Sequence, residues 1–214
     1  MKKLSSRSSR LLLFSVIAAF FCALDLGTKH WIFERLGRPG EAPVEWLISD
    51  VFGWQTSLNQ GALFGIGQGQ IPLFATLSCV ALLGIVVWVW ADATRSVFLA
   101  STLGLITAGI LGNLWDRLGL HRMRWSDFDA DVWGCPPEMV GQPIYAVRDW
   151  ILVRIHGPGD WVYNWPNFNI ADSCLVCGAI LIGLYALFTP TPKPAVATDD
   201  AASTVSESED KAEN

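Results

Sequence analysis

A chain of 214 residues that is 51% hydrophobic and only 16% charged, with a mean hydropathy of +0.35, is too apolar for an ordinary soluble domain and too short for a large transporter. Its formal net charge of −5 falls mostly on the tail, where six acids face two lysines after Thr189. The rest is nearly neutral, so no nucleic-acid partner is implied, and a small integral membrane protein is the first reading.

Residues 11–24, 71–91, 96–115 and 173–188 carry no charge and are apolar throughout. A helix rises about 1.5 Å per residue and needs roughly 20 residues to cross a hydrocarbon core. The second and third stretches meet that length as they stand. The first meets it by continuing through Asp25 and Lys29 to Trp31, and the fourth by including the turn at Ala171-Asp172. Lys2, Lys3, Arg7 and Arg10 give the first stretch the look of a signal peptide, but no small-x-small site follows it. Phe20 and Phe21 stand where a lipobox before Cys22 needs small residues. The expectation is an uncleaved first helix.

Those basic residues hold the amino terminus in the cytoplasm by the positive-inside rule. Alternation then makes both termini cytoplasmic and brings Asp25, Lys29, Asn113, Asp116, Arg117 and Asp172 to one outer edge. Two external segments remain, 32–70 and 118–168. Between them they hold Trp46, Trp54, Trp125, Trp133, Trp150, Trp161 and Trp165, which suit a belt at the water–lipid boundary. Residues 46–64 mix β-favouring side chains with glycine and predict a small sheet on the membrane surface. The expected class is therefore an all-α membrane protein of four transmembrane helices, with a small extracytoplasmic β-sheet and an external loop insertion. Its membrane domain covers 1–190, and 191–214 forms a disordered acidic cytoplasmic tail.

The five cysteines form no disulfide framework. Cys174 and Cys177 make a CxxC, but helical spacing simply stacks them on one face, and no second ligand pair accompanies them. Asp127, Asp129, Asp131 and Glu138 mimic a calcium loop, yet Val132 occupies the place of its glycine. No metal or other cofactor is implied.

Single acids have ordinary readings. Asn169 and Asp172 can form a capping box at a helix start, Asp116 and Arg117 a snorkelling pair, and Asp25 and Lys29 an i,i+4 ion pair. Asp149 reads locally as a surface charge on a strand or interfacial helix. The wider order changes the weighing. Asn59-Gln60-Gly61-Ala62-Leu63-Phe64, Gly112-Asn113-Leu114-Trp115-Asp116-Arg117, Val147-Arg148-Asp149-Trp150-Ile151 and Phe168-Asn169-Ile170-Ala171-Asp172-Ser173 occur in that sequence around four spans.

This array resembles the lipoprotein signal peptidase family, signal peptidase II, over about residues 11–188. The Gly-Asn-x-x-Asp-Arg and Phe-Asn-x-Ala-Asp-Ser blocks match in full, and Asp25 and Lys29 match the early pair of the first helix. The resemblance implies a metal-free aspartic endopeptidase of the bacterial inner membrane, probed by globomycin, that cuts prolipoproteins before a diacylglyceryl-modified cysteine. It implies Asp149 and Asp172 as the catalytic pair. Asn59, Gly61, Asn113, Arg117 and Asn169 would bind substrate or orient the acids, with Asp25, Lys29 and Asp116 in support. The expected partners are such prolipoproteins and membrane lipids, and the enzyme is expected to be a monomer.

One departure stands out. Residues 118–146 separate the Asp-Arg block from Asp149, which leaves Asp127 as a competitor for the first acid. Asp149 is preferred for its apolar flanks and its closeness to Asp172. Two further readings compete with the peptidase: a serine–lysine peptidase using Lys29, for which no suitably placed serine is found, and a small transporter or scaffold with Asp25, Asp116 and Asp172 as an ion path. The latter calls for charges near the midplane rather than at one edge.

Overall fold

The computed structural model describes residues 6–61, 67, 69–91, 96–133 and 136–188, the side chains of 130, 132 and 133 excepted. The tail 191–214, the Ala62–Phe64 half of the first motif block and the segment 92–95 with Asp92 and Arg95 lie outside the described residues. Among those described, four helices are long and apolar enough to span a membrane: α1 (Arg7–Leu36), α2 (Ile71–Trp90), α3 (Val97–Arg117) and α5 (Ile170–Phe188). A short α4 (Asp127–Trp133) lies between α3 and the second half of the sheet. The chain divides into a main unit, Met1–Gly183, and a second, Leu184–Asn214, whose described part is the last helical turn of α5.

Local chemistry accounts for the helix starts. The Ser6 and Ser96 hydroxyls accept the otherwise unpaired amides of Ser9 and Leu99 at 3.2 and 3.0 Å. Pro72 sits in the first turn of α2, where its missing N–H costs nothing. On α1 the buried residues are Ala18, Asp25, Lys29, Ile32 and Leu36, a single stripe at steps of three, four and seven. Asp25 and Lys29 of that stripe face α3, the central and by far the most buried of these helices, and Ile32 and Leu36 at its end meet the sheet. On α2 only Ile85 and Val89 are buried. They join Leu99, Leu103 and Ile110 of α3 in the core between the helices.

The sheet is larger than residues 46–64 alone predict. Its antiparallel order is β1 (Glu45–Ile48), β2 (Phe52–Asn59), β3 (Val147–His156), β4 (Val162–Phe168). The segment 118–168 is thus no simple loop: besides α4 and a 3₁₀ turn at Pro137–Met139, it supplies half of the sheet. The fold is four apolar helices with a four-stranded sheet rather than all-α. β3 escapes a period-2 reading because Val147, Arg148, Asp149 and Trp150 are all buried, so its start has no polar face to alternate with.

Trp150 also departs from the expected belt. It is buried with Ile32 and Leu36, and Trp54 stands edge-on between Trp31 and Trp150 with ring centroids 5.0 and 6.5 Å away. These rings fasten the sheet to the end of α1. Trp161 and Trp165 remain exposed, as a boundary position requires.

α5 approaches α3 closely because α3 carries glycine at the crossing. A Cβ at Gly109 would stand 2.5 Å from the Ala171 carbonyl oxygen. Gly109→Ala should therefore lower the thermal midpoint in detergent, by the equivalent of about 1–3 kcal/mol of overpacking. That reverses the gain of about 1 kcal/mol usual for this exchange in a helix interior. A midpoint equal to or above that of the parent would contradict the tight crossing.

Candidate active site

At the junction of α3, β3 and α5 lies a buried polar assembly in a protein otherwise rich in apolar surface. Asn169 is its hub. It follows directly on β4 and precedes the first residue of α5, and it is fully buried. Its side-chain amide donates to Asp149 Oδ1 at 2.6 Å and to Asn113 Oδ1 at 3.1 Å. Its side-chain oxygen accepts the Asp172 amide at 2.9 Å, and its own backbone N–H donates to Asp172 Oδ2 at 3.2 Å. The capping box read from the sequence is thus real, and it belongs to the site. Asp172 uses its other oxygen, Oδ1, to accept from Asn113 Nδ2 at 2.7 Å.

The two acids differ in setting. Asp149 is buried on β3, held by Asn169 and by the Asn59 side chain from β2. Burial, and after it the charge of Asp172, pushes the Asp149 carboxyl well above the usual carboxylate range. Asp172 is partly exposed and reaches a cleft of about 410 Å³ lined chiefly by apolar groups, among them Val153, Trp165, Phe168 and Val176.

Behind the acids lies a cluster of Asp25, Lys29, Asp116 and Arg148 that is formally neutral. Lys29 Nζ is 2.7 Å from Asp25 Oδ2 and 3.2 Å from Asp116 Oδ2, and it donates to Asn113 Oδ1 at 3.0 Å. Asp25, Lys29 and Asp116 are fully buried. Asp25 Oδ1 also accepts the Ala171 amide at 2.9 Å, so α1 holds the first turn of α5 directly. Asp116 does not pair with Arg117 as a snorkelling couple. Its oxygens take Lys29 and Arg148 instead, while Arg117 Nη2 donates to the Gly61 carbonyl at 3.1 Å and its guanidinium lies 5.6 Å from the Phe74 ring centroid. Asn59 closes the same turn by accepting the Gly61 amide at 2.8 Å.

Each site residue singled out in the sequence therefore falls in this region. Asp127 does not. It is exposed at the start of α4, and its neighbour Asp129 is the buried one, accepting from Arg38 at 2.6 Å and from Ser126 at 2.7 Å. Among the described residues no group of three or more His, Cys, Asp or Glu could hold a metal ion. Sequence reasoning missed Arg148, whose guanidinium donates to Asp116 Oδ1 at 3.1 and 2.8 Å. The available signal was an arginine inside an apolar run, which must find a partner or leave the core.

The model of the family described as Signal peptidase (SPase) II matches residues 17–188. The chain belongs to the signal peptidase II family. A lipoprotein signal peptidase of Rhodopirellula baltica is 43% identical over 176 residues, which is 82% of this chain and 71% of that protein. One of Rhodopseudomonas palustris is 33% identical over 182 residues, 81% of this chain and 94% of its own. A solved structure described as a bacterial membrane enzyme, obtained by the in meso method at 2.3 Å, superposes with a TM-score of 0.57 at 27% identity and covers 80% of this chain and 85% of its own. Signal peptidase II is a membrane peptidase, and the four apolar helices found here are in keeping with a multi-pass enzyme.

The setting of Asp149 has a consequence for stability. Its folded carboxyl titrates above the ordinary value of about 3.9, so the folded state binds more protons than the unfolded chain between the two values. The associated stability is complete below the unfolded value and is lost as pH rises through the folded one. Asparagine stays neutral throughout and can still accept from Asn169. Asp149→Asn should therefore unfold at a higher temperature than the parent at mildly alkaline pH, with the gap closing on acidification. Melting curves in detergent across pH check this, and a variant less stable at alkaline pH would refute it.

Proposed function

We propose that the chain is a lipoprotein signal peptidase that works as an aspartic endopeptidase, with Asp149 and Asp172 as its catalytic pair. It removes signal peptides from prolipoproteins by cutting before the diacylglyceryl-modified cysteine. The observation that carries this reading is the Asn169 side chain, which bonds Asp149, Asn113 and the Asp172 amide at once and so holds both acids in one hydrogen-bonded chain.

Two carboxylates in one site cannot both ionise cheaply, so the pair retains one proton. Asp149, the more buried of the two, is the member suited to keep it. Asp172, open to the cleft, takes a proton from water as the water oxygen attacks the scissile carbonyl carbon. Asp149 donates its proton to the carbonyl oxygen as the tetrahedral diol forms. On collapse Asp172 passes its proton to the departing nitrogen and Asp149 recovers one from the diol, so the pair ends as it began. Asn113 and Asn169 keep both acids oriented throughout, and Arg117 and Asn59 hold the Gly61 turn beside them.

The amino-terminal basic residues place the amino terminus in the cytoplasm, so the acids lie at the outer edge of the membrane. The substrate arrives there already anchored by its lipid, and the apolar cleft beside Asp172 suits a chain presented at the depth of the acids. The enzyme acts as a monomer and needs no metal or other cofactor for this chemistry.

Asp149→Asn and Asp172→Asn should each slow cleavage of a diacylated lipopeptide by about 10²–10⁴-fold, the range of a positioned acid or base. Asp127→Asn should match the parent. Purified, folded variants assayed side by side decide between the two candidates for the first acid. An active Asp149→Asn enzyme, or an inactive Asp127→Asn enzyme, would remove Asp149 from the role.

A further inference from the structure

In a strand, one residue's N–H and C=O point to the same edge, while neighbouring side chains leave on opposite faces. β3 pairs with β2 through Ser57↔Asp149 and Leu58↔Arg148, but its pairing with β4 begins only at Ile151↔Phe168. The start of β3 therefore has one open edge. Arg148 turns its backbone groups to that edge, and the helices fill it. Asp116 Oδ2 of α3 accepts the Arg148 N–H at 3.0 Å, and Asn169 Nδ2 lies 3.5 Å from the Arg148 carbonyl oxygen.

The same α3 carboxylate also takes the Arg148 side chain. Oδ1 accepts from Nε at 3.1 Å and from Nη2 at 2.8 Å, and the guanidinium lies 5.9 Å from the Phe33 ring centroid of α1. Arg148 is 5% exposed. It does not line the cleft at Asp172. Backbone and side chain of the residue just before Asp149 are thus fastened to a single buried acid.

The geometry points to Arg148 as a positioning residue for proteolysis: acting through Asp116, it sets the register and depth at which β3 presents Asp149 to the Asn169–Asp172 assembly. This rests on the assignment of Asp149 as a catalytic acid. A one-residue slip of the strand would turn Asp149 to the opposite face. A shift of about 1 Å in a catalytic group can cost on the order of 10²-fold in rate. Lys29 stays 3.2 Å from Asp116 when Arg148 is replaced, so the acid is not left as an unpaired buried charge and the variants can fold. Lysine keeps the charge but cannot reproduce the planar fork, so it should restore only part of the hold.

The test uses the full chain in detergent with a synthetic diacylated lipopeptide, comparing Arg148→Met, Arg148→Lys, Asp116→Asn, the Arg148→Met/Asp116→Asn double variant and Asp149→Asn. Per folded molecule, Arg148→Met should lose about 10–100-fold in kcat with KM unchanged, and Arg148→Lys should recover part of that. The double variant should be no slower than the slower single, because both changes break one contact. A kcat equal to that of the parent, a rise in KM at constant kcat, or losses that multiply in the double variant would overturn the proposal. Should Arg148→Met not fold, the kcat of Arg148→Lys decides by the same criteria. An active Asp149→Asn enzyme would bring down the acid assignment and this role with it. An inactive one beside fully active Arg148 variants would bring down this role alone.

Discussion

A carboxamide sealed from water must find fixed partners for two N–H donors and an oxygen, because any group left over costs more than the bonds it forgoes. Asn169 meets this condition with Asp149, Asn113 and the Asp172 amide. Its partners come from β3, α3 and α5, so the position of one side chain ties three elements together. The surrounding structure makes room for it. Glycine at 109 and 112 lets Ala171 close on α3, and Asp25, beside Gly112, takes the Ala171 amide.

The ions behind this hub are better understood as geometry than as stability. Burying two carboxylates and two cations carries a desolvation cost that their attraction need not recover. Removing one member is a different matter, since the remaining charges no longer balance even where each keeps a partner. What the cluster of Asp25, Lys29, Asp116 and Arg148 achieves is a rigid join between α1, α3 and β3 that contains no flexible loop. The acids of the site are then held from behind by groups that do not face the cleft.

Much of this was legible in the linear sequence because each signal was local. The spans needed only length and an absence of charge, and the capping pair Asn169/Asp172 and the i,i+4 pair Asp25/Lys29 needed only spacing. What spacing could not supply was partnership at a distance. Asp116 and Arg117 are adjacent, yet they diverge to Arg148 and Gly61. Asp127 and Asp149 were competitors as letters, but one is exposed on α4 and the other is locked beneath Asn169. β3 escapes notice because burial on both faces removes the alternation that marks a strand, and Trp150 reads as a boundary residue because sequence pattern does not reveal which tryptophan turns inward.

The passage from Phe168, paired to β3, through Asn169 to Ile170, the first residue of α5, contains no linker at all. The end of the sheet and the start of that helix are therefore joined directly at the residue that holds the acids. A bilayer thicker or thinner than the helix's apolar length changes its tilt. With nothing slack between strand and helix, a change in that tilt reaches the Asn169 side chain and the two acids bonded to it.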